Sequence, residues 1–332
     1  MPHNIELNNR FQPKGILKNR HVQTLYAKFF REQEEPTVHK EIFELEDGDF
    51  LECFWHNQEV LLEDAPILVL FHGLEGSYKS PYIEGMMHAF KKEGFAVVLM
   101  HFRGCGDEMN RLPRAYHSGE TEDAKSYLRA LQARYVKSKL FCVGFSLGGN
   151  MLLKLLSEID ESLKIEAAVS VSAPMQLDIC ANQMKRGFSK VYQAHLMKNL
   201  KESLIKKYAQ HDMKTLLDVS QNEVEDMVDF WEFDGAYTAR IHGFDSAQDY
   251  YTKCSSRQFL KDIKTPTLII HALDDPFMTP EILPHLDELS SSVELEVYAH
   301  GGHVGFVAGS FRKPEYWLDI RLVEYLKKSL IS

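Results

Sequence analysis

Residues 140–150 read Leu140-Phe141-Cys142-Val143-Gly144-Phe145-Ser146-Leu147-Gly148-Gly149-Asn150. The stretch begins as a continuous apolar run, which predicts a strand buried on both faces, and it continues into a helical pattern. The turn between them carries Gly-x-Ser-x-Gly, whose small residues let the chain fold sharply and lift the serine hydroxyl above the sheet. We therefore predict that Ser146 is a nucleophile. A phosphate-binding loop is the alternative, but the stretch lacks the Lys-Ser/Thr ending of that motif.

Similar apolar runs recur on both sides of this stretch. They cover residues 67–71, 95–101, 140–145, 165–171, 267–271 and 293–298. Helical patterns alternate with them, at residues 81–92, 119–135, 147–159, 278–289 and 314–329. Two β-like runs, 38–46 and 50–56, precede them and are joined by a turn at Asp47-Gly48-Asp49. This alternation predicts an α/β fold with a mostly parallel central sheet and helices on both faces.

The alternation fails once, over the more than ninety residues between Ser172 and Thr267. That segment is mostly helical in pattern and rich in Met and aromatic residues, and a gap this long needs a structure of its own. We therefore predict a core formed by residues 1–175 and 265–332 and a helical cap inserted at 176–264. We expect residues 1–36 to be an irregular N-terminal segment. We also expect the cap to cover the cleft above Ser146.

A serine nucleophile needs a histidine base, and the base needs an acid that orients it. Asp274-Asp275-Pro276 follows the run 267–271, and His300-Gly301-Gly302-His303 follows the run 293–298. Both groups therefore lie at carboxyl ends of strands, where open α/β sheets bind ligands. We predict Asp275 as the acid, with Asp274 as the alternative or as a cap of the next helix. We predict His303 as the base rather than His300, and a metal site at the two histidines lacks a third ligand at matching spacing.

The negative charge that develops on the substrate oxygen needs two backbone N–H donors. One is expected from Leu147, the residue after the nucleophile. The other is expected from the loop that follows the run 67–71, with Leu74 as the donor. For His72, in the same loop, we expect a hydrogen bond that orders the loop rather than a direct catalytic role.

Composition excludes several classes of protein. The 332 residues contain 38 Lys and Arg against 48 Asp and Glu, for a net charge of −10, which argues against a nucleic-acid partner. No apolar stretch is long enough to cross a membrane, and the first residues lack a secretory pattern. The five cysteines are an odd number without a close pair, which argues against a disulfide framework or a zinc cluster. We predict a cytoplasmic protein without cofactor or metal.

Several segments spread along the chain resemble the α/β-hydrolase superfamily and, more narrowly, its YheT-like branch, the AB hydrolase 4 family. They are NRHVQT (19–24), HGLEG (72–76), FRGC (102–105), NR (110–111), YHSG (116–119), GFSLGGN (144–150), DDPF (274–277) and HGGHVGF (300–306). The resemblance implies a serine hydrolase that acts on carboxylic esters of small molecules. It also supports Ser146, Asp275 and His303 as the charge-relay residues. An acyltransferase that uses an alcohol in place of water, and a scaffold without catalysis, are the alternatives.

Other features allow two interpretations each. The first such feature is a group of three residues, Arg103, Arg111 and His117. They either bind a substrate anion or hold a loop together, and the loop-ordering role is favoured because Arg often orders loops. Residues 198–214 carry five lysines and either contact a lipid surface or form a cap helix with a solvated lysine face, the second being favoured. We therefore expect no insertion into a membrane, and contact with a lipid surface is the alternative for these residues. Cys105 is a reactive thiol or, as we prefer, a small loop residue.

Overall fold

An eight-stranded sheet forms the centre of the computed structural model, which describes residues 6–331. Its strands are β1 (His39–Glu44), β2 (Phe50–His56), β3 (Ile67–Phe71), β4 (Ala96–Met100), β5 (Leu140–Phe145), β6 (Ala167–Val171), β7 (Thr267–Ala272) and β8 (Val293–Tyr298). They lie in the order β1-β2-β4-β3-β5-β6-β7-β8. Strand β2 runs antiparallel to β1 and β4, and every other pairing is parallel. The predicted α/β fold class is confirmed.

Helices cover both faces of the sheet. The α-helices are α1 (Arg20–Phe30), α2 (Pro81–Lys91), α3 (Glu122–Arg134), α4 (Leu147–Glu158), α5 (Leu177–Met184), α6 (Ser189–Tyr208), α7 (Met213–Leu217), α8 (Gln221–Asp226), α9 (Phe230–Phe233), α10 (Ala239–His242), α11 (Ala247–Cys254) and α12 (Trp317–Ile331). Along β3, Val69 packs in one core with α3 and α4, and Leu70 packs in the other with α2 and α12. Every residue within the strands β3, β4, β5, β6 and β7 is buried, as continuous apolar runs predict.

The segment between β6 and β7 is helical and contains no strand among residues 172–266. It carries α5 to α11, a π-helical turn at Asp234–Thr238 and a 3-10 helix at Ser256–Asp262. It has apolar clusters of its own, one around Met213 and Phe233 and another around Tyr250. We call residues 176–264 the inserted segment. The division of the chain into a hydrolase core and a cap stays a prediction.

The predicted helix at 278–289 is wrong. These residues contain two short 3-10 turns, Pro280–Ile282 and Leu286–Glu288. Pro284 has no backbone N–H and favours an extended conformation in the residue before it, and Leu283 has φ −67° and ψ 138°. The apolar spacing that predicted a helix instead buries Ile282 and Leu283 in the core.

Both ends of the chain also differ from expectation. Residues 1–36 are not irregular throughout, because they include α1, and residues 1–5 lie outside the described residues. The Asn19 side chain caps α1 by accepting hydrogen bonds from the N–H groups of His21 and Val22. The C-terminal helix begins at 317 rather than 314, because β10 (Lys313–Tyr316) pairs with β9 (Val307–Ser310) in a hairpin.

Candidate active site

Ser146 lies in the turn between β5 and α4. Its φ and ψ are 51° and −119°, a strained conformation that residues with side chains rarely adopt. Two glycines allow the chain to fold this tightly. A Cβ at Gly144 would lie 2.4 Å from the Gly148 carbonyl oxygen, and a Cβ at Gly148 would lie 2.5 Å from that of His72. The Ser146 amide donates to the Val171 carbonyl at 2.8 Å, which ties the turn to β6.

The side chains of Ser146, His303 and Asp275 form one hydrogen-bonded chain. His303 Nε2 lies 2.9 Å from Ser146 Oγ, and His303 Nδ1 lies 2.8 Å from Asp275 Oδ2. With its proton on Nδ1, neutral His303 donates to Asp275 and accepts from Ser146. Asp275 is 1% exposed and also accepts the Phe277 N–H at 2.8 Å, which fixes the carboxylate orientation. This geometry lets a histidine take up a serine proton.

Asp274 binds the loop that carries His303 rather than His303 itself. Its Oδ1 accepts the Gly302 N–H at 2.9 Å, and its Oδ2 lies 3.3 Å from His300 Nδ1. The expectation that this aspartate caps the next helix is wrong, since residues 278–289 form no α-helix. Burial raises the pKa of Asp274. The two neighbouring aspartates therefore hold one loop at two points, and His300 pairs with Asp274.

Helix α1 holds the same loop from the other end of the sequence. The His303 N–H donates to Thr24 Oγ1 at 3.0 Å. Gln23 donates to the Val307 carbonyl at 2.9 Å and accepts its N–H at 2.7 Å. Gly302 packs so closely that a Cβ there would lie 2.6 Å from the Arg20 carbonyl oxygen. Sequence reasoning missed the roles of Gln23 and Thr24, although their place in the segment 19–24 was a signal.

Two backbone N–H groups beside Ser146 have no acceptor among residues 6–331. Leu147 is the first residue of α4, so its N–H has no partner within the helix. Leu74 lies between Gly73, whose N–H donates to the Tyr82 hydroxyl at 3.0 Å, and Glu75, whose N–H donates to another tyrosine hydroxyl. Leu74 and Leu147 line one cavity with Ser146. This arrangement supports them as the oxyanion donors.

His72 orders the loop that contains Leu74. Its Nε2 accepts the Phe102 N–H at 3.1 Å, which leaves Nδ1 to donate to the Gly73 carbonyl at 2.6 Å. Burial lowers the pKa of His72 to about 3, so the ring is neutral near pH 7 and keeps this donor and this acceptor. The geometry agrees with the expected loop-ordering role.

A cavity lies above Ser146, between the sheet and the inserted segment. It holds about 1130 Å³ of space free of protein atoms, part of it open to solvent. The rest of the chain contributes seven apolar or aromatic lining residues: Leu74, Met109, Ala115, Tyr116, Leu147, Pro174 and Phe277. The inserted segment contributes a larger apolar set: Leu177, Cys180, Ala181, Met184, Leu196, Leu200, Leu204, Phe230, Phe233, Tyr237, Tyr250 and Tyr251. The cavity is therefore suited to an apolar ligand that reaches Ser146.

Two carboxyl groups in the cavity wall accept hydrogen bonds from hydroxyls. Asp234 accepts from Thr238 and Tyr251, both at 2.6 Å, and burial raises its pKa to about 6. Glu75 accepts from Tyr116 at 2.8 Å and from a serine of the inserted segment at 3.2 Å, and burial raises its pKa too. Desolvation thus shifts both groups toward the neutral form.

The expectation for residues 198–214 is a cap helix with a solvated lysine face, and one of the five lysines departs from this expectation. These residues cover the second half of α6 and the start of α7, and Lys207 is only 3% exposed. Lys207 donates to Asn110 Oδ1 at 2.7 Å and to the Leu112 carbonyl at 2.8 Å. Burial lowers its pKa to about 8. This lysine joins the inserted segment to the loop after β4.

Arg103 and Arg111 have carboxylate partners within the protein. Arg103 is buried and donates to Asp123 twice at 2.6 Å, to Asp47 at 2.7 Å and to Asp49 at 3.0 Å. Arg111 binds a glutamate of β1. These contacts favour the structural interpretation over a substrate anion. Burial raises the pKa of Cys105 well above its usual value, the opposite of what a reactive thiol needs.

His117, Glu120 and His242 bring one potential metal-ligating atom each within 4.8 Å of one another. The contacts of this cluster argue against an ion. The Gly119 N–H donates to His117 Nδ1 at 3.1 Å, so the imidazole proton of His117 lies on Nε2. Neither ring nitrogen of His117 therefore has a lone pair left to bind an ion. A guanidinium, that of Arg114, already lies 3.5 Å from the Glu120 carboxylate. We assign no metal to this cluster.

Comparisons with known proteins agree with the fold. A family model described as "alpha/beta hydrolase fold" matches residues 66–310. The chain belongs to this family. Within it, the chain is 44% identical over 316 residues to "Putative esterase YheT" of Escherichia coli (strain K12), covering 95% of this chain and 92% of that one. The predicted α/β hydrolase of the YheT-like branch is confirmed.

Further relatives of this α/β hydrolase carry lipase and phospholipase names. The chain is 30% identical to the monoacylglycerol lipase of Saccharomyces cerevisiae, over 80% of this chain and 60% of that one. It is 27% identical to phospholipase ABHD3 of Mus musculus, over 90% of this chain and 73% of that one. Among solved structures, the Pyrococcus furiosus esterase Pf2001 matches with a TM-score of 0.57, over 98% of this chain and 100% of that one. At 17% identity this match shows the fold alone. The predicted enzyme class, an esterase–lipase type hydrolase, is confirmed.

The structure bears on two further predictions, which concern membrane-spanning segments and disulfide bonds. Among residues 6–331, none of the helices combines the length and the apolar character that crossing a membrane requires. All five cysteines are free thiols in the structure. The cytoplasmic location and the lack of a nucleic-acid partner stay predictions.

Proposed function

We propose that this hydrolase cleaves acyl esters of small molecules through a Ser146–His303–Asp275 triad and an acyl-enzyme intermediate. One observation carries the proposal: the hydrogen-bonded chain from Asp275 through His303 to Ser146 Oγ ends at the base of an apolar cavity. Leu74 and Leu147 supply the oxyanion donors. The relatives named esterase, lipase and phospholipase support an ester as the bond that is cleaved.

The first half of the reaction transfers the acyl group to the enzyme. Ser146 Oγ attacks the acyl carbon while its proton moves to His303 Nε2, and the carbonyl oxygen becomes an oxyanion. The N–H groups of Leu74 and Leu147 stabilise this oxyanion, and Asp275 stabilises the imidazolium. Collapse of the intermediate breaks the bond to the alcohol oxygen, which takes the proton from His303. The acyl group is then an ester of Ser146.

The second half returns the enzyme to its starting state. Water gives a proton to His303 and attacks the acyl carbon, so a second oxyanion forms at the same N–H groups. Its collapse breaks the bond to Ser146 Oγ, which recovers the proton from His303. The products are one alcohol and one carboxylic acid, and no cofactor takes part.

We propose that the inserted segment, residues 176–264, serves as the cap that binds the acyl chain. It contributes most of the apolar side chains of the cavity, whereas the triad and the oxyanion donors lie outside it. Each acyl methylene buried there contributes about 0.8 kcal/mol to binding. A cap also excludes water from the cavity, which strengthens the hydrogen bonds to the oxyanion. Chain-length preference is therefore a property of the inserted segment.

The test is a series of p-nitrophenyl esters from acetate to palmitate, with kcat/KM measured for each. We expect turnover with an optimum at one chain length, because the cavity has a fixed volume. Absence of turnover across the series would contradict the proposal and favour a scaffold. Added glycerol checks the second step: if the acyl product is mainly glycerol ester in dilute glycerol, the protein is an acyltransferase.

A further inference from the structure

Exposed apolar side chains are concentrated on neighbouring elements beside His303. Of the thirteen large apolar residues that are exposed among residues 6–331, six lie on four elements: the 3-10 turn Gly15–Lys18, α1, the N-cap and first turn of α6, and the β9–β10 hairpin. They are Ile16, Phe29, Phe30, Phe188, Val191 and Phe311. Phe29 is 65% exposed and Val191 is 57% exposed. Scattered exposed apolar residues are ordinary, but a cluster of this kind marks a binding surface.

Direct contacts make these elements one continuous surface with α1 at its centre. On one side, the Phe311 ring lies 5.1 Å from Phe30. On the other side, the Phe188 ring lies 4.5 Å from His21, and Lys28 Nζ lies 3.4 Å from His195 Nε2 of α6. We call the exposed part of this surface the docking face.

The charge of the docking face is opposite to that of the whole chain. The net charge of the chain is −10, yet residues 8–31 and 179–201 contain six and five Lys and Arg residues, respectively, and no Asp or Glu. The hairpin at residues 307–316 adds two more cations and one glutamate. Six exposed cations of the face form no ion pair among the described residues: Lys18, Arg20, Lys28, Arg186, Lys190 and Arg312. The face therefore combines exposed aromatic rings with uncompensated positive charge.

The docking face lies directly beside the catalytic histidine. Thr24 of α1 accepts the His303 N–H. A chain of ring contacts also runs from His303 through Phe277 and Tyr192 to Phe188, with centroid distances of 3.9, 5.1 and 5.6 Å. A partner bound to this face would therefore sit within a few side chains of the triad.

We propose that the docking face binds the surface of a bilayer that contains anionic lipids. Phenylalanine rings enter the boundary between headgroups and acyl chains, while Lys and Arg pair with lipid phosphates. An acidic protein would match the cations but would leave the rings without an apolar environment. A second copy of the chain, placed symmetrically, would bring cations against cations. The inference concerns where the chain binds, and it does not depend on the reaction of Ser146.

The test measures sedimentation with vesicles of phosphatidylcholine alone and of phosphatidylcholine mixed with phosphatidylglycerol. The Ser146→Ala protein is used, so that lipid hydrolysis does not alter the vesicles. Two double variants change the face, Phe29→Ser with Phe30→Ser and Lys18→Glu with Lys28→Glu. The matched control combines Val136→Ser and Lys164→Glu, which are exposed residues shortly before β5 and β6, at the edge of the sheet opposite Ser146.

We expect binding to the anionic vesicles that weakens with salt and little binding to phosphatidylcholine alone. At the usual contribution of a basic residue, loss of the two lysines alone should weaken binding on the order of 30-fold, and the two introduced carboxylates should weaken it further. The serine pair should weaken binding about tenfold or more. The control should bind like its parent.

No vesicle binding, equal binding to both vesicles, or face variants that bind like the control would overturn the proposal. Retention on polyglutamate beads without vesicle binding would overturn it in favour of an acidic protein. With Ser146 restored, the face variants should hydrolyse a soluble p-nitrophenyl ester at the parental rate, which separates docking from catalysis.

Discussion

The phenyl ring of Phe277 lies parallel to the imidazole of His303, with ring centroids 3.9 Å apart and an angle of 8° between the planes. The backbone N–H of the same phenylalanine donates to Asp275 Oδ1 at 2.8 Å. Phe277 therefore positions both His303 and Asp275. The stacking restricts the imidazole to the plane in which it reaches Ser146.

Removal of this ring should impair the chemical step. Phe277→Ala leaves the backbone contact to Asp275 but lets the His303 ring move, and a small misplacement of a catalytic group costs up to about a hundredfold in rate. We expect kcat to fall by about tenfold to a hundredfold, with recovery in Phe277→Tyr, which keeps a stacking ring. Separate kcat and KM values are the measurement. A Phe277→Ala enzyme with unchanged kcat would show that the stacking has no positioning role.

The two neighbouring aspartates should differ in their effect on the rate. In Asp275→Asn the amide oxygen keeps the Phe277 N–H, so the amide NH2 group faces His303 Nδ1. This donor imposes the wrong tautomer on His303, and we expect a loss on the order of 10⁴ in kcat. Asp274→Asn keeps an oxygen that can accept the Gly302 N–H, so we expect a loss of about tenfold or less. Steady-state kinetics of both variants, with circular dichroism as the folding control, measures the ranking. The reverse ranking would assign the acid role to Asp274.

Two adjacent residues of the inserted segment separate a lining role from a packing role. Phe230 lines the cavity, whereas the neighbouring Trp231 is not among its lining residues and donates instead to Asn182 at 3.0 Å. Phe230→Ala enlarges the cavity, so we expect the optimum in kcat/KM to shift to longer acyl chains. Trp231→Ala should leave the optimum where it is. If both variants only lower the melting temperature and keep the chain-length profile, selectivity lies outside the inserted segment.

His242 should make the protein less stable in acid. Burial lowers its pKa in the folded chain to about 3, whereas the unfolded chain takes up this proton near pH 6.5. Between these values the unfolded state binds more protons, so the free energy of unfolding falls as the pH falls, by up to about 1.4 kcal/mol per pH unit for one group. His242→Gln removes this contribution. Urea unfolding from about pH 7 to about pH 4 should show a shallower pH dependence in the variant. Parallel curves would mean that His242 titrates normally.

The sheet, the turn at Ser146 and the positions of Asp275 and His303 after two strands could be predicted because their signals are local. A buried parallel strand is a continuous apolar run, and the turn at Ser146 needs glycines at fixed positions. Asp275 and His303 could be placed at strand ends because the carboxyl ends of parallel strands share one edge of the sheet.

The remaining site residues act through contacts between distant parts of the chain. Thr24 binds the His303 amide across 279 residues, and nothing in the local pattern of α1 indicates that contact. The apolar spacing at 278–289 resembles that of a helix, but Pro284 keeps Leu283 in an extended conformation and prevents one. The stacking of Phe277 on His303 likewise depends on how two loops meet, which periodicity does not describe.

The central claim is that Ser146 is the one activated serine, and peptide mapping after treatment with a fluorophosphonate tests it most directly. The reagent forms a covalent bond with an activated serine, so the protein should carry one adduct, on the peptide that contains Ser146. Ser203, which also lines the cavity, is the matched control. We predict that Ser203→Ala is labelled like the parent protein and that Ser146→Ala carries no label and does not hydrolyse esters. An adduct on another residue, or ester hydrolysis by a folded Ser146→Ala protein, would contradict the account.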